Sequence, residues 1–156
     1  MNRSGNIWIQ GAGELASGVA VRLVRAGYRV VMADIPRPLA VRRLVCFSEA
    51  VYEGRSTVEE IGGELADLGE ADFHPGRVTV VVDPKGALLE TLDPAAVIDA
   101  RMTKRTPGPL PRGSAPLIGL GPGFTCGRDA DLIVETHRAA RLGAVIDRGS
   151  AVPDTG

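Results

Sequence analysis

The chain has 156 residues, a mass of 16.3 kDa, a formal net charge of -1 and a pI near 6.1. That balance argues against a domain-wide basic field for nucleic acid and leaves room only for a local basic patch. Apolar residues are 44%, charged residues 24% and mean hydropathy is +0.07, so one globular domain is expected rather than a disordered chain. With aromatics at 4%, Val, Ile, Leu and Ala must build the core. No run approaches the ~20 apolar residues of a membrane span. The opening MNRSGNIWIQ lacks the ~7–15 residue apolar stretch of a signal peptide. The expectation is a cytoplasmic protein with no membrane partner.

Residues 6–10 (NIWIQ) read as a buried strand that stops at Gly11. Residues 14–26 follow with Leu15, Val19, Leu23 and Ala26 at helical spacing, and Gly27 is placed to close that helix. Residues 29–33 (RVVMA) form a second strand ending at Asp34. Strand, glycine turn, helix and strand make a βαβ unit, which parallel pairing requires. Pro36 and Pro38 break any helix, and residues 39–44 could form a short one. Residues 57–68 (TVEEIGGELADL) are expected to be a helix with Thr57 and Glu60 as a capping box, weakened by Gly62 and Gly63. Residues 78–82 and 97–100 read as strands. Residues 106–114, with three prolines and two glycines, read as a surface loop. Residues 117–120 form a strand that runs into a second glycine loop. Residues 132–135 and 144–146 are expected to be a small C-terminal hairpin, and residues 153–156 a turn.

Gly11-Ala12-Gly13-Glu14-Leu15-Ala16 matches GxGxxA after a strand and before a helix. Gly11 allows the tight turn, Gly13 lets backbone approach a phosphate, and Ala16 lets helix and strand pack closely. A helix N-terminus offers free amides and partial positive charge to an anion. Asp34, 21 residues after Gly13, is where an acid would meet a ribose hydroxyl pair. It argues against NADP as the main ligand. A packing turn without ligand remains the other reading. Glu14 at the first turn stabilises the helix yet would repel a pyrophosphate if it pointed inward.

Arg37, Arg42 and Arg43 follow the second strand, and Arg101, Lys104 and Arg105 follow another. Each cluster could hold an anionic group or be a solvated turn. Gly119, Gly121, Gly123 and Gly127 surround Pro122 and Cys126. So much backbone freedom implies a sharp turn or a close approach, but no Gly-Lys-Ser/Thr follows, so this is not a P-loop. Cys126 could be a nucleophilic thiolate near amides or arginines, or a small residue filling a turn. Cys46, in LVCF, reads as core. His137 could pair with Glu135 or bind an anion, and His74 reads as loop. With these cysteines and histidines there is no CxxC and no zinc spacing.

The runs GAGELASGVAVRL, IPRPLAVRR, FSEAVYEG, DARMTKR, GLGPGFTCG and VETHRAARLG, in order over nearly the whole chain, resemble the YqeB-type proteins. These belong to the selenium-dependent molybdenum hydroxylase system and are distantly similar to the XdhC and CoxI accessory proteins. The resemblance implies an α/β, Rossmann-like, mostly parallel sheet with flanking helices. It implies an accessory role in maturing or inserting a molybdopterin-type cofactor, with addition of selenium as one version of that role. The partner would be a molybdenum hydroxylase apo-enzyme, and a homo-oligomer is compatible. Longer family members continue past a PDTG-like segment, so a C-terminal extension is expected there. On this basis Gly11, Gly13 and Glu14 should face one crevice with Gly119, Gly121 and Gly123. Asp34, Arg37, Arg42, Arg101 and Lys104 should lie about it, and Cys126 should be able to relay a chalcogen. Two rival readings stand beside this: an NAD-dependent oxidoreductase, and a nucleotide-sensing module that docks on a partner enzyme.

Overall fold

The computed structural model describes residues 5–153; the turn expected at residues 153–156 lies almost wholly outside them. Nine strands form one sheet: β1 (Asn6–Gln10), β2 (Arg29–Asp34), β3 (Arg55–Val58), β4 (Ile61–Leu65), β5 (Arg77–Val82), β6 (Ala96–Asp99), β7 (Leu117–Leu120), β8 (Leu132–Val134) and β9 (Val145–Ile146). Their order is β3-β4-β5-β2-β1-β6-β7-β8-β9. Every neighbouring pair is parallel except the two edge pairs, β3–β4 and β8–β9. The fold is α/β, as expected, and the C-terminal hairpin is present.

Alternation along the central strands feeds two cores. Ile7 and Ile9, Val30 and Met32, and Val78 and Val80 face one side. Trp8, Val31, Ala33 and Val81 face the other. Both faces are covered, which is why these strands read as continuous apolar runs. Trp8 is fully buried, and its indole Nε1 donates to Gln10 Oε1 at 2.9 Å. Gln10 Nε2 in turn donates to the Asp83 carbonyl at 2.8 Å, so the indole of Trp8 and the amide of Gln10 are both engaged, while the buried Asn6 Oδ1 in the same strand has no partner.

Helix α1 (Glu14–Arg25) covers the first face. It buries the stripe expected from spacing only in part, with Val19 and Leu23 packed half-buried against this core. Ala16, Ser17, Ala20, Val21 and Val24 are the buried positions, while Leu15 is 42% exposed. Small residues at 16 and 20 let the helix sit close to the sheet, and the larger Leu15 is pushed to the rim. The other α-helices are short, α2 (Ala50–Glu53) and α3 (Leu89–Leu92).

Two expectations fail. Residues 57–68 are not a helix but the β3–β4 hairpin, with Val58 paired to Ile61 across Glu59 and Glu60. Both turn residues have positive φ, 45° and 73°, the conformation of a two-residue hairpin turn that normally takes Asn or Gly. Arg25 holds this turn, donating to Glu59 Oε2 at 2.9 Å and to the Glu59 carbonyl at 3.1 Å. A Cβ at Gly63 would lie 2.5 Å from the Phe47 ring, whereas one at Gly62 would meet nothing within 4 Å, so of the two glycines that looked like helix weaknesses Gly63 makes room for a core aromatic. Residues 39–44 also form no α-helix; a single 3-10 turn, Arg43–Val45, overlaps their end, and a second, Phe47–Glu49, follows.

Gly119 lies inside β7, where a Cβ would stand 2.7 Å from the Phe124 ring. Phe124 folds back on the strand and joins the second core. Gly119→Ala should therefore lower stability by ~1–3 kcal/mol through overpacking. Adding Phe124→Leu should return part of that loss in urea unfolding.

Candidate functional site

In a sheet of this kind, ligands bind at the carboxyl ends of the strands, where the strand order reverses. Here the reversal falls at β1, with β2 on one side and β6 on the other. Gly11 leaves β1 at that point with φ +106°, and a Cβ there would come within 2.7 Å of the Ala100 carbonyl. Glycine is thus required where the loop passes the end of β6. Gly13 is different. It is the N-cap of α1 with φ -70°, no side chain caps the helix, and a Cβ there would meet nothing within 4 Å.

A crevice of about 520 Å³ opens over this point, lined by the loop of residues 10–16 together with Asp34, Ile35, Leu39, Arg101 and Met102, among others. Its size suits a small-molecule site. Its two carboxylates are both engaged. Glu14 pairs with Arg42, whose Nε lies 2.9 Å from Oε2, so Glu14 is drawn to a cation outside the crevice lining. Asp34 Oδ2 accepts the Ala12 amide at 3.0 Å and Oδ1 accepts the Ile35 amide at 2.7 Å. Burial pushes the Asp34 carboxyl above its ordinary range, against the pull of those two amides. Asp34 therefore clamps the glycine loop while lining the crevice. Arg101 is aimed by Asp99, with Nε 3.0 Å from Oδ1, and also donates to the Gly108 carbonyl at 2.7 Å. Arg37 is exposed and does not line the crevice.

The second glycine loop lies on the same carboxyl edge, beyond the loop that follows β6. Its glycines meet protein. A Cβ at Gly121 would fall 2.6 Å from Thr136 Oγ1 and 3.3 Å from Met102 Cε, and one at Gly123 would fall 2.9 Å from the Arg105 carbonyl. Close approach does explain these glycines, but the partners are the neighbouring loops. A second cavity of about 580 Å³ opens here, lined by Lys104, Pro122, Thr136, His137 and Arg138, among others. Gly119, Gly121 and Gly123 line neither cavity.

Cys126 also lines neither cavity. Its thiol donates to the Ile146 carbonyl at 3.1 Å. Burial, and then the nearby Asp147, push it above the ordinary thiol value, which favours the neutral thiol over a nucleophile. Cys46 is fully buried and its thiol donates to the Arg42 carbonyl at 3.2 Å. His74 lies in a third, polar cavity with Glu64 and Arg77.

The sequence reading missed the most systematic feature of this edge. Strand after strand ends in a carboxylate that accepts amides of the adjoining loops. Asp83 takes Ala87 and Leu88 at 3.0 and 2.9 Å. Asp99 takes Arg101 at 3.2 Å. Glu135 takes His137 and Val152 at 2.8 and 2.9 Å. The signal was present as acids at the ends of apolar runs.

Among known proteins, the chain is 40% identical over 151 residues, or 95% of its length, to "Uncharacterized protein YqeB" of Escherichia coli (strain K12). Over that stretch the chain is similar to YqeB. The chain spans 28% of that relative, and the relative's name gives no activity. No family model matches the chain, and no solved structure matches it. Among the described residues, no helix is long and apolar enough to cross a membrane, and no group of His, Cys, Asp and Glu is arranged to hold a metal ion.

Glu135 carries a pH prediction. Burial alone would raise its carboxyl, but the amides of Val152, His137 and Thr136 outweigh it, and the value is held below the ordinary range. A depressed native value stabilises the fold above the unfolded value of ~4.3 and loses that contribution as pH falls through the native one. Glu135→Gln keeps one acceptor oxygen and loses the other. It should cost ~1–3 kcal/mol at neutral pH, and the gap from wild type should narrow below about pH 4. Chemical unfolding at several pH values checks this. Asp34 has the opposite sign: its raised value means a contribution present at low pH and lost as pH rises through it.

Proposed function

We propose that the chain is the nucleotide-type ligand module of an accessory protein that matures a molybdenum hydroxylase, holding an anionic, molybdopterin-type cofactor in the β1–β6 crevice. The observation that carries the binding half is Gly13. Neither its φ nor the space around it requires glycine, yet it forms the uncapped start of a twelve-residue helix facing the crevice. A bare helix start with free amides and partial positive charge is an anion site. The carboxylates that would oppose an anion are tied to Arg42 and to backbone amides, and Arg101, oriented by its pairing with Asp99, lines the crevice as a hydrogen-bond donor.

The maturation half rests on the motif resemblance. Molybdopterin and its dinucleotide forms carry a phosphate or pyrophosphate, which this helix start and Arg101 suit. The modification of the cofactor, including any selenium step, is assigned to no residue of this chain, because Cys126 sits away from the crevice as a stabilised thiol. A binding and delivery role fits better than a relay through that cysteine. Asp34 at the end of β2 also suits the ribose of NAD, so an NAD-binding module is the second reading.

A thermal-shift panel with NAD, NADP, CTP, CDP and a molybdopterin preparation separates them. A ligand at 100 times its Kd should raise Tm by about 5–10 °C for a chain of this size. Gly13→Asp should abolish the shift. Asp is a favoured N-cap, so the variant should be no less stable than wild type while its carboxylate takes the helix amides. A shift with the molybdopterin preparation alone supports maturation. A shift with NAD alone transfers the site to the second reading. A full shift in Gly13→Asp contradicts anion binding at the helix start.

A further inference from the structure

The two cavities on the carboxyl edge share a wall. Leu15, from the first turn of α1, and Met102, from the loop after β6, line both. Each is a large apolar side chain left about two-fifths exposed, 42% and 41%. Met102 holds φ at +53°, a conformation uncommon for a non-glycine residue and often kept where it serves a site. Gly121 leaves room for it, since a Cβ there would lie 3.3 Å from Met102 Cε. The second glycine loop thus permits the partition between the cavities.

The second cavity has a chemistry of its own. Lys104, Thr136, His137 and Arg138 supply its polar lining, and among the described residues no Asp or Glu lines it. His137 Nδ1 accepts the Ala139 amide at 3.1 Å, which leaves Nε2 as the proton-bearing nitrogen of the neutral ring. Arg138 is exposed and has no hydrogen-bond or ion-pair partner among the described residues. Glu135 accepts amides from His137 and from Val152, so one buried carboxylate ties together two walls of this cavity. At about 580 Å³ it matches the first crevice in size, and each alone is in the range of a small-molecule site.

We infer that the two cavities form one bipartite site for an elongated ligand, a dinucleotide-type diphosphate ester, whose second, anionic half crosses Leu15 and Met102 and lies against His137 and Arg138. This rests on the first crevice being an anion site at the start of α1. The ligand class follows from the layout: an amide-rich helix start at one end, apolar side chains between, and a cavity lined by His137 and Arg138 at the other. A mononucleotide would occupy only the first part. Unlike Arg101, the groups in the second cavity would contribute only to ligands that reach them.

Calorimetric titration tests this with two pairs of probes, NAD with AMP and the cytosine dinucleotide form of molybdopterin with CMP. The variants are Arg138→Glu and Leu142→Glu, both at exposed positions, Leu142 being 66% exposed in the second cavity; their Tm without ligand should match wild type. In at least one pair the dinucleotide should bind about tenfold or more tightly than its half, as charge-assisted contacts added by a second group would give. Both variants should remove that gain and leave binding of the half unchanged. If dinucleotide and half bind equally and the variants change nothing, the bipartite site is overturned while the first crevice stands. If no probe binds wild type, the first crevice fails as an anion site and the inference fails with it.

Discussion

The carboxyl edge of the sheet depends on one repeated interaction, a strand-end carboxylate accepting the amides of adjoining loops. Asp34, Asp83, Asp99 and Glu135 do this at β2, β5, β6 and β8. Hydrogen bonds to a charged acceptor are worth about twice neutral ones, and here they replace helices as the means of fixing the loops. The chain has little else for that purpose, since α1 is the only long helix among the described residues. The arrangement also resolves an electrostatic conflict. The edge carries several acids, but their charge is spent on backbone donors or on Arg42 and Arg101, which is compatible with the proposed anion site. Asp34 and Glu135 show both results of burial: with two amides it titrates high, and with more amides plus His137 it titrates low.

The first glycine loop is fixed from below as well. Ser17 donates to the Ala12 carbonyl and accepts the Phe47 amide, and the Ser48 amide also reaches the Ala12 carbonyl. Loop, helix and the segment at residues 46–48 are therefore one unit. The same unit places Phe47 over Gly63, and Arg43 over Tyr52, whose hydroxyl reaches the Pro38 carbonyl. Residues 36–45, which carry Arg37 and Arg42, are held at the rim by these contacts rather than by a helix.

Much of this was legible in the sequence where a local rule decides. The βαβ unit, the strands at residues 78–82 and 117–120 and the C-terminal hairpin follow from apolar runs ended by turn residues. The helix expected at residues 57–68 shows the limit. Val58, Ile61 and Leu65 fit both periods, and Glu59-Glu60 is no recognised turn sequence; pairing of β4 with β5 and the room needed by Phe47 decided the outcome. For α1 the period was right and the buried face was rotated, with Val19 and Leu23 at its border, because packing distance favoured Ala16 and Ala20 over Leu15. Of the candidate site, Gly11, Gly13, Glu14, Asp34 and Arg101 do meet at one crevice. Lys104 lies with the second cavity, and Arg42 acts through Glu14. Arg37, Cys126 and the glycines at 119, 121 and 123 lie outside both cavities, since what crowds those glycines is long-range packing that no short window contains.

The most direct measurement is a backbone amide NMR titration with CDP, NAD and a molybdopterin preparation. The helix start at Gly13 as the anion site predicts that the largest shifts fall on the amides of Gly13, Glu14, Leu15 and Ala16, with Arg101 following. A saturating ligand that leaves those amides unmoved, and shifts instead the polar cavity about His74 and Arg77, would contradict it.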